Sequence, residues 1–152
     1  MMQKGGGMKK LLGILILFSG TLFAKEATWR LVGSFPDKSA DEVWSIITDV
    51  VLEKGYEFTV IERGSGYLKT GTRIEEKDDM WLPAIREYWL EVKMKTSPPY
   101  DVKIRVPYKE SQGLACCFIP LVEPKLEEAE MKGNYKEKEE EIIKEIQIRL
   151  QK

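Results

Sequence analysis

Four features of the chain bring together residue types that could do chemistry. The stretch Gly55–Gly71, GYEFTVIERGSGYLKTG, combines four glycines with Lys69 and Thr70, the ingredients of a phosphate-cradling loop. Glu75, Glu76, Asp78 and Asp79 crowd carboxylates into a short stretch, as a hard cation requires. Cys116 and Cys117 are the only two cysteines and are adjacent. Lys69, Arg73, Lys93, Lys95, Lys103 and Arg105 recur at alternate positions, with Tyr67 and Trp89 among them.

The first three features resolve into structural roles. A P-loop needs glycine directly before its lysine, and Leu68 stands there. The dinucleotide spacing places Gly64 and Gly66 correctly but meets Lys69 at its third glycine. Alternation continues to Ile74, so no helix N-terminus follows to hold a phosphate. The glycines therefore read as the turn of a hairpin at Arg63–Gly66. The four acids match no EF-hand spacing and enclose no glycine, so a solvated polar loop is expected over 75–79. A disulfide between neighbouring cysteines is strained, which favours buried thiols, with pairing between chains as the alternative in an oxidising compartment.

The chain has no histidine, which excludes Ser-His and Cys-His catalysis and histidine-bound metal within it. Glu42, Asp49 and Glu53 lie at a cap or along a helix face, and no nucleophile stands beside a base. The residues point to a protein that is not an enzyme and carries no cofactor or metal.

The elements that position the basic residues follow from periodicity. Thr28–Phe35 alternates as a first strand, with Trp29, Leu31 and Phe35 on one face. Ser39 and Glu42 form a capping box, and the helix that follows runs to Gly55 with Val43, Ile47, Val50 and Val51 as its apolar stripe and Trp44 beside them. Strands are expected near 56–61, 67–74, 86–95 and 100–108. Asn134 is a helix N-cap, and Tyr135, Ile142, Ile143, Ile146 and Leu150 mark that helix's apolar side, with 136–141 as its solvated face. The order β-α-β-β-β-β-α gives an α+β fold, an antiparallel sheet packed by two helices.

If helices cover one face of that sheet, Lys69, Arg73, Trp89, Lys93, Lys95, Lys103 and Arg105 line the other. Such a face suits an acidic envelope protein, anionic lipid headgroups or a glycan. Met80, Trp81, Leu82 and Pro83, and the apolar insert Gly113–Leu121, are further contact segments if exposed.

Met8-Lys9-Lys10 followed by an apolar run to Ala24 reads as a secretory signal peptide over residues 1–24, with Met8 as the natural start. An uncleaved anchor is the alternative. No cysteine follows the run, so lipid acylation there is not expected. A periplasmic single domain over 25–152 results. Removing residues 1–24 takes three lysines and no acid, so the formal charge moves from −1 to −4. An acidic chain has no global pull toward nucleic acid. Abundant Lys and Glu with a single asparagine suit a thermophilic source.

A helix containing Val43-Trp44, then Gly55-Tyr56-Glu57-Phe58, then Gly66-Tyr67-Leu68-Lys69-Thr70, resembles the helix-grip domain of the BamC (NlpB) family. That resemblance implies an accessory role in outer-membrane protein assembly. The segment Asp41–Asp49 after a strand is also similar to START and polyketide-cyclase-like folds. That likeness implies a carrier of a small apolar ligand, held between the sheet and the C-terminal helix.

Overall fold

A computed structural model describes residues 25–79, 82–112 and 129–152. The segment 1–24, Met80, Trp81, the apolar insert and both cysteines lie outside the described residues. The elements are β1 (Arg30–Phe35), α1 (Ala40–Glu53), β2 (Phe58–Glu62), β3 (Tyr67–Thr70), β4 (Arg73–Asp79), β5 (Leu82–Tyr88), β6 (Glu91–Met94), β7 (Tyr100–Arg105), β8 (Pro107–Gln112), β9 (Glu130–Asn134) and α2 (Lys136–Leu150). The α+β class holds. The strands form two antiparallel sheets, ordered β1-β7-β6-β3-β2 and β4-β5-β8-β9.

The difference from the expected single sheet has one physical origin. Three long strands break in the middle and pass from one sheet to the other. The breaks fall at Gly71–Thr72, at Trp89–Leu90 and at Val106. Thr70 joins two of them: its amide donates to the Leu90 carbonyl at 2.9 Å, and its Oγ1 accepts from the Leu90 amide at 2.9 Å. Pro107 has no N–H to continue a ladder, so the β7–β8 strand turns there. The apolar phase survives the bend at Trp89–Leu90, where Tyr88, Leu90, Val92 and Met94 are all buried, but not the one at Gly71–Thr72, beyond which Ile74 is 69% exposed. The acids expected in a loop at 75–79 instead continue the third strand as β4, paired along β5 from Arg73↔Tyr88 to Asp79↔Leu82.

Helix α1 forms as its sequence dictates. The Ser39 hydroxyl accepts from the Glu42 amide at 3.1 Å, and Gly55 follows the C-cap at φ +76°, a conformation that favours glycine. Val43, Trp44, Ile47, Val50 and Val51 are buried against the sheet's inner face, with Leu68, Val92, Val102 and Ile104 opposite. Helix α2 adds Ile142, Ile143, Ile146 and Leu150 to the same cluster. Exposed pairs join the helices, Lys54 to Glu141 at 2.7 Å and Arg149 to Glu53. Such pairs each contribute at most about 1 kcal/mol, so the apolar stripe carries the packing.

Two expectations about α2 change. Tyr135, not Asn134, is the N-cap residue. Asn134 instead accepts from the Thr28 amide and donates back to the Thr28 carbonyl, both at 2.7 Å, acting as one more strand partner for the N-terminal arm. Glu139, expected on a solvated face, is 2% exposed. It accepts from Asn134 Nδ2 at 2.7 Å, and burial raises its carboxyl above the ordinary carboxylate value.

Strand phase also departs from simple alternation. A bulge between Leu31 and Gly33 flips β1, so Leu31 pairs with Lys103 on the outer face while Val32 enters the core. Trp29 and Leu31 thus part company with Phe35, which packs on the core side. A second irregularity between Phe58 and Val60 sets Val60 opposite Lys69, out of phase with Phe58.

Candidate functional site

Both helices lie on one side of the five-stranded sheet, and its other side gathers the charged and aromatic residues. One row across that side reads Leu31, Lys103, Lys93, Tyr67 and Glu62. The neighbouring row reads Arg105, Glu91 and Lys69, with Trp29 and Trp89 packed against it. Lys95 continues the ladder past Lys93, its amide donating to the Asp101 carbonyl at 2.9 Å.

Glu91 organises the second row. It is 5% exposed and accepts from Trp89 Nε1 at 2.8 Å and from Arg105 Nε at 2.8 Å. Burial alone would raise its carboxyl, but those hydrogen bonds and the guanidinium charge outweigh it and hold the group below the usual carboxylate value. Arg105 also donates to the Ala27 carbonyl at 3.2 Å and lies 4.5 Å from the centre of the Trp29 ring. Lys93 approaches the same ring at 4.6 Å, so two cations contact one indole. Lys69 sits 5.6 Å from the Trp89 ring.

The first row is unbalanced. Lys93 and Lys103 face each other across paired strands, an arrangement that is unfavourable for like charges. Among the described residues neither forms an ion pair, nor does Lys95. Asp101, the carboxylate opposite Lys95, accepts from the Ser34 hydroxyl at 2.5 Å. Lys93, Lys95, Lys103 and Asp101 line a shallow depression of about 390 Å³ together with Ser65 and Tyr67. A smaller one of about 290 Å³ lies over Trp89, Glu91 and Arg105. Burial raises the Tyr67 phenol, which stays a hydrogen-bond donor at neutral pH.

The expected site residues therefore divide. Lys69, Trp89, Lys93, Lys95, Lys103 and Arg105 share this face. Arg73 does not: it begins β4 in the other sheet, stacks 4.8 Å from the Tyr56 ring and donates to the Lys54 carbonyl at 3.0 Å. The bend at Gly71–Thr72 separates it from Lys69. Leu82 opens β5, also in the other sheet, while Met80 and Trp81 lie outside the described residues. Trp29 and Leu31 are members that alternation placed on the other face, while Glu91 shares the phase of Trp89 and Lys93 but, as an acid, stands outside the basic series. Gly33 within a strand was the signal for the bulge that brings Trp29 and Leu31 outward.

Elsewhere, Tyr56, Tyr88, Tyr135 and Tyr108 form an edge-packed series, with Arg86 5.2 Å from the Tyr135 ring. Burial pushes the Tyr56 phenol up to about 12. Glu75 accepts from the Tyr135 hydroxyl at 2.7 Å, so this acid braces helix α2 against β4. A cleft of about 830 Å³, lined mostly by charged and polar groups, separates the N-terminal arm from the start of α2. Among the described residues no three His, Cys, Asp or Glu converge as metal ligands, and no helix is long and apolar enough to cross a membrane.

No protein-family model matches the chain, and no curated protein matches its sequence. The class that the coordinates define is an α+β domain of two bent antiparallel sheets with a basic, aromatic outer face.

Proposed function

We propose that this chain is a non-enzymatic interaction module of the bacterial cell envelope that engages an anionic partner through the outer face of the five-stranded sheet. The observation that carries this reading is the Lys93–Lys103 pair. Opposed like charges without a carboxylate partner among the described residues cost stability, and an anion supplied from outside would relieve them. The rigid second row, fixed by Glu91, gives that face a defined shape. Export by the 1–24 segment, periplasmic residence, and a BamC-like accessory role in outer-membrane protein assembly belong to the same proposal and rest on the sequence resemblance.

The alternative, a START-like carrier, needs an apolar cavity between sheet and helices. Ile47, Leu68, Ile104 and Ile146, from both layers, are each 0% exposed and belong to one packed cluster, which favours the module. Native mass spectrometry of the protein purified gently from its own cells tests the choice. The module predicts a protein free of small apolar ligands; a co-purifying apolar mass would replace this reading with the carrier.

A further inference from the structure

The kind of anion follows from the layout of the three lysines around the depression, none of which forms an ion pair among the described residues. Lys93 and Lys95 are alternate residues of one strand, so their stems rise about 6.5–7 Å apart. Lys103 stands directly across from Lys93, about 5 Å away at the backbone. The lysine stems thus rise at the spacing of alternate side chains in an extended chain.

Other anions fit less well. Phosphoryl groups favour arginine forks or free backbone amides. Here Arg105 is already engaged by Glu91 and the Ala27 carbonyl, and the amides of β6 and β7 are engaged in the sheet. A lipid surface calls for clusters of about four to eight basic residues. Four lysines that form no ion pair among the described residues, Lys69, Lys93, Lys95 and Lys103, stand on this face, the low end of that range, and the chain as a whole is acidic, so a broad anionic plane would meet repulsion around them. A narrow, locally seated partner escapes that repulsion.

We propose that the depression bounded by Lys93, Lys95 and Lys103 seats an extended acidic peptide segment whose carboxylates fall at alternate positions. The inference deepens the proposed function and rests on it. Two carboxylates of such a segment reach Lys93 and Lys95 and a neighbouring one reaches Lys103, while Asp101, whose carboxylate accepts from the Ser34 hydroxyl, bounds the depression beside Lys95.

The test is fluorescence anisotropy of the purified protein with two labelled peptides of equal composition, one alternating Glu and Ser, the other with its glutamates in adjacent pairs. The alternating peptide is expected to bind several-fold tighter, and binding should weaken as salt rises from about 10 to about 150 mM. Each lysine lost should weaken binding roughly two- to fivefold. Lys93→Glu with Lys103→Glu should therefore weaken it about tenfold or more. The milder pair Lys93→Gln with Lys103→Gln keeps the result readable if charge reversal disturbs folding, which circular dichroism checks. Equal affinity for the two peptides, or unchanged binding by both double variants, overturns the proposal. Lysine-dependent binding to phosphatidylglycerol vesicles without peptide binding also overturns it, while leaving the face itself as the point of interaction.

Discussion

Gly66 and Gly64 sit two residues apart in one turn, and the structure assigns them opposite responses to alanine. Gly66 has φ +66°, and a Cβ added there would lie 3.0 Å from the Met94 carbonyl carbon and closer still to its oxygen. The approach is close because the Met94 amide donates to the Gly66 carbonyl at 2.7 Å, tying the hairpin to β6. In Gly66→Ala the left-handed backbone costs about 1–2 kcal/mol. Moving the two backbones apart forfeits a hydrogen bond that contributes about 0.5–1.5 kcal/mol. The total is about 1.5–3.5 kcal/mol, a drop in melting temperature on the order of 10 °C for a domain of this size. Gly64 has no positive φ, and a Cβ added there would meet nothing within 4 Å. Gly64→Ala should therefore be neutral or stabilise by up to about 1 kcal/mol, because it restricts the unfolded chain. Thermal and urea unfolding followed by circular dichroism reads both variants. Melting points within about 2 °C of each other would refute the reasoning, and with it the claim that Gly66 is where the hairpin locks onto the sheet.

Two buried acids should respond to pH in opposite directions. The pKa of Glu91 is held below its ordinary 4.5, so its contribution is present in full above that value and fades as pH falls through the depressed one. Glu91→Gln should cost about 1–3 kcal/mol near neutral pH. The deficit should shrink in acid; urea unfolding showing a constant gap down to about pH 3 would contradict this. Glu139 has a pKa raised above 4.5, so its contribution is greatest below that value and is lost as pH rises through the raised one. Glu139→Gln should be the more stable protein at neutral pH and lose that advantage in acid, and a neutral-pH melting point below the parent's would count against it. Ile47, 0% exposed, should cost about 2–5 kcal/mol as Ile47→Ala, read by the same unfolding curves.

Much of the fold was legible because its local signals agree. Ser39, Glu42 and Gly55 bracket α1, and the stripe from Val43 to Val51 is buried as its 3.6-residue period requires. The hairpin at Arg63–Gly66 and the common phase of Lys69, Lys93, Lys103 and Arg105 were equally readable. What escaped were events that alternation cannot express. A bulge at Val32 shifts the phase by one residue and sends Trp29 outward. β5 and β6 keep one inward face across the bend between two sheets, so their pattern looks like one long strand. Glu139 was hidden because a charged residue in a run of charged residues gives no sign that the helix turns it inward. Asparagine suits a helix cap locally, whereas the partner that Asn134 takes, Thr28, lies 106 residues away in the chain.

The same bends explain how the outer face comes to carry opposed lysines at all. The bent strands β5–β6 and β7–β8 pack apolar side chains against the core on both sides of their bends, with Tyr88 and Tyr108 beyond them, and β6 and β7 must keep Val92, Met94, Val102 and Ile104 inward. Register is then fixed by the core, and the outward residues meet wherever that register sets them. Had only solubility been at stake, one carboxylate opposite Lys93 would have removed the repulsion at no cost to the core. Glu91 shows that the sheet accommodates such a carboxylate one row away, where it locks Arg105 and Trp89 in place. Firm anchoring in one row beside lysines without ion pairs in the next, among the described residues, is the arrangement on which the proposed interaction rests.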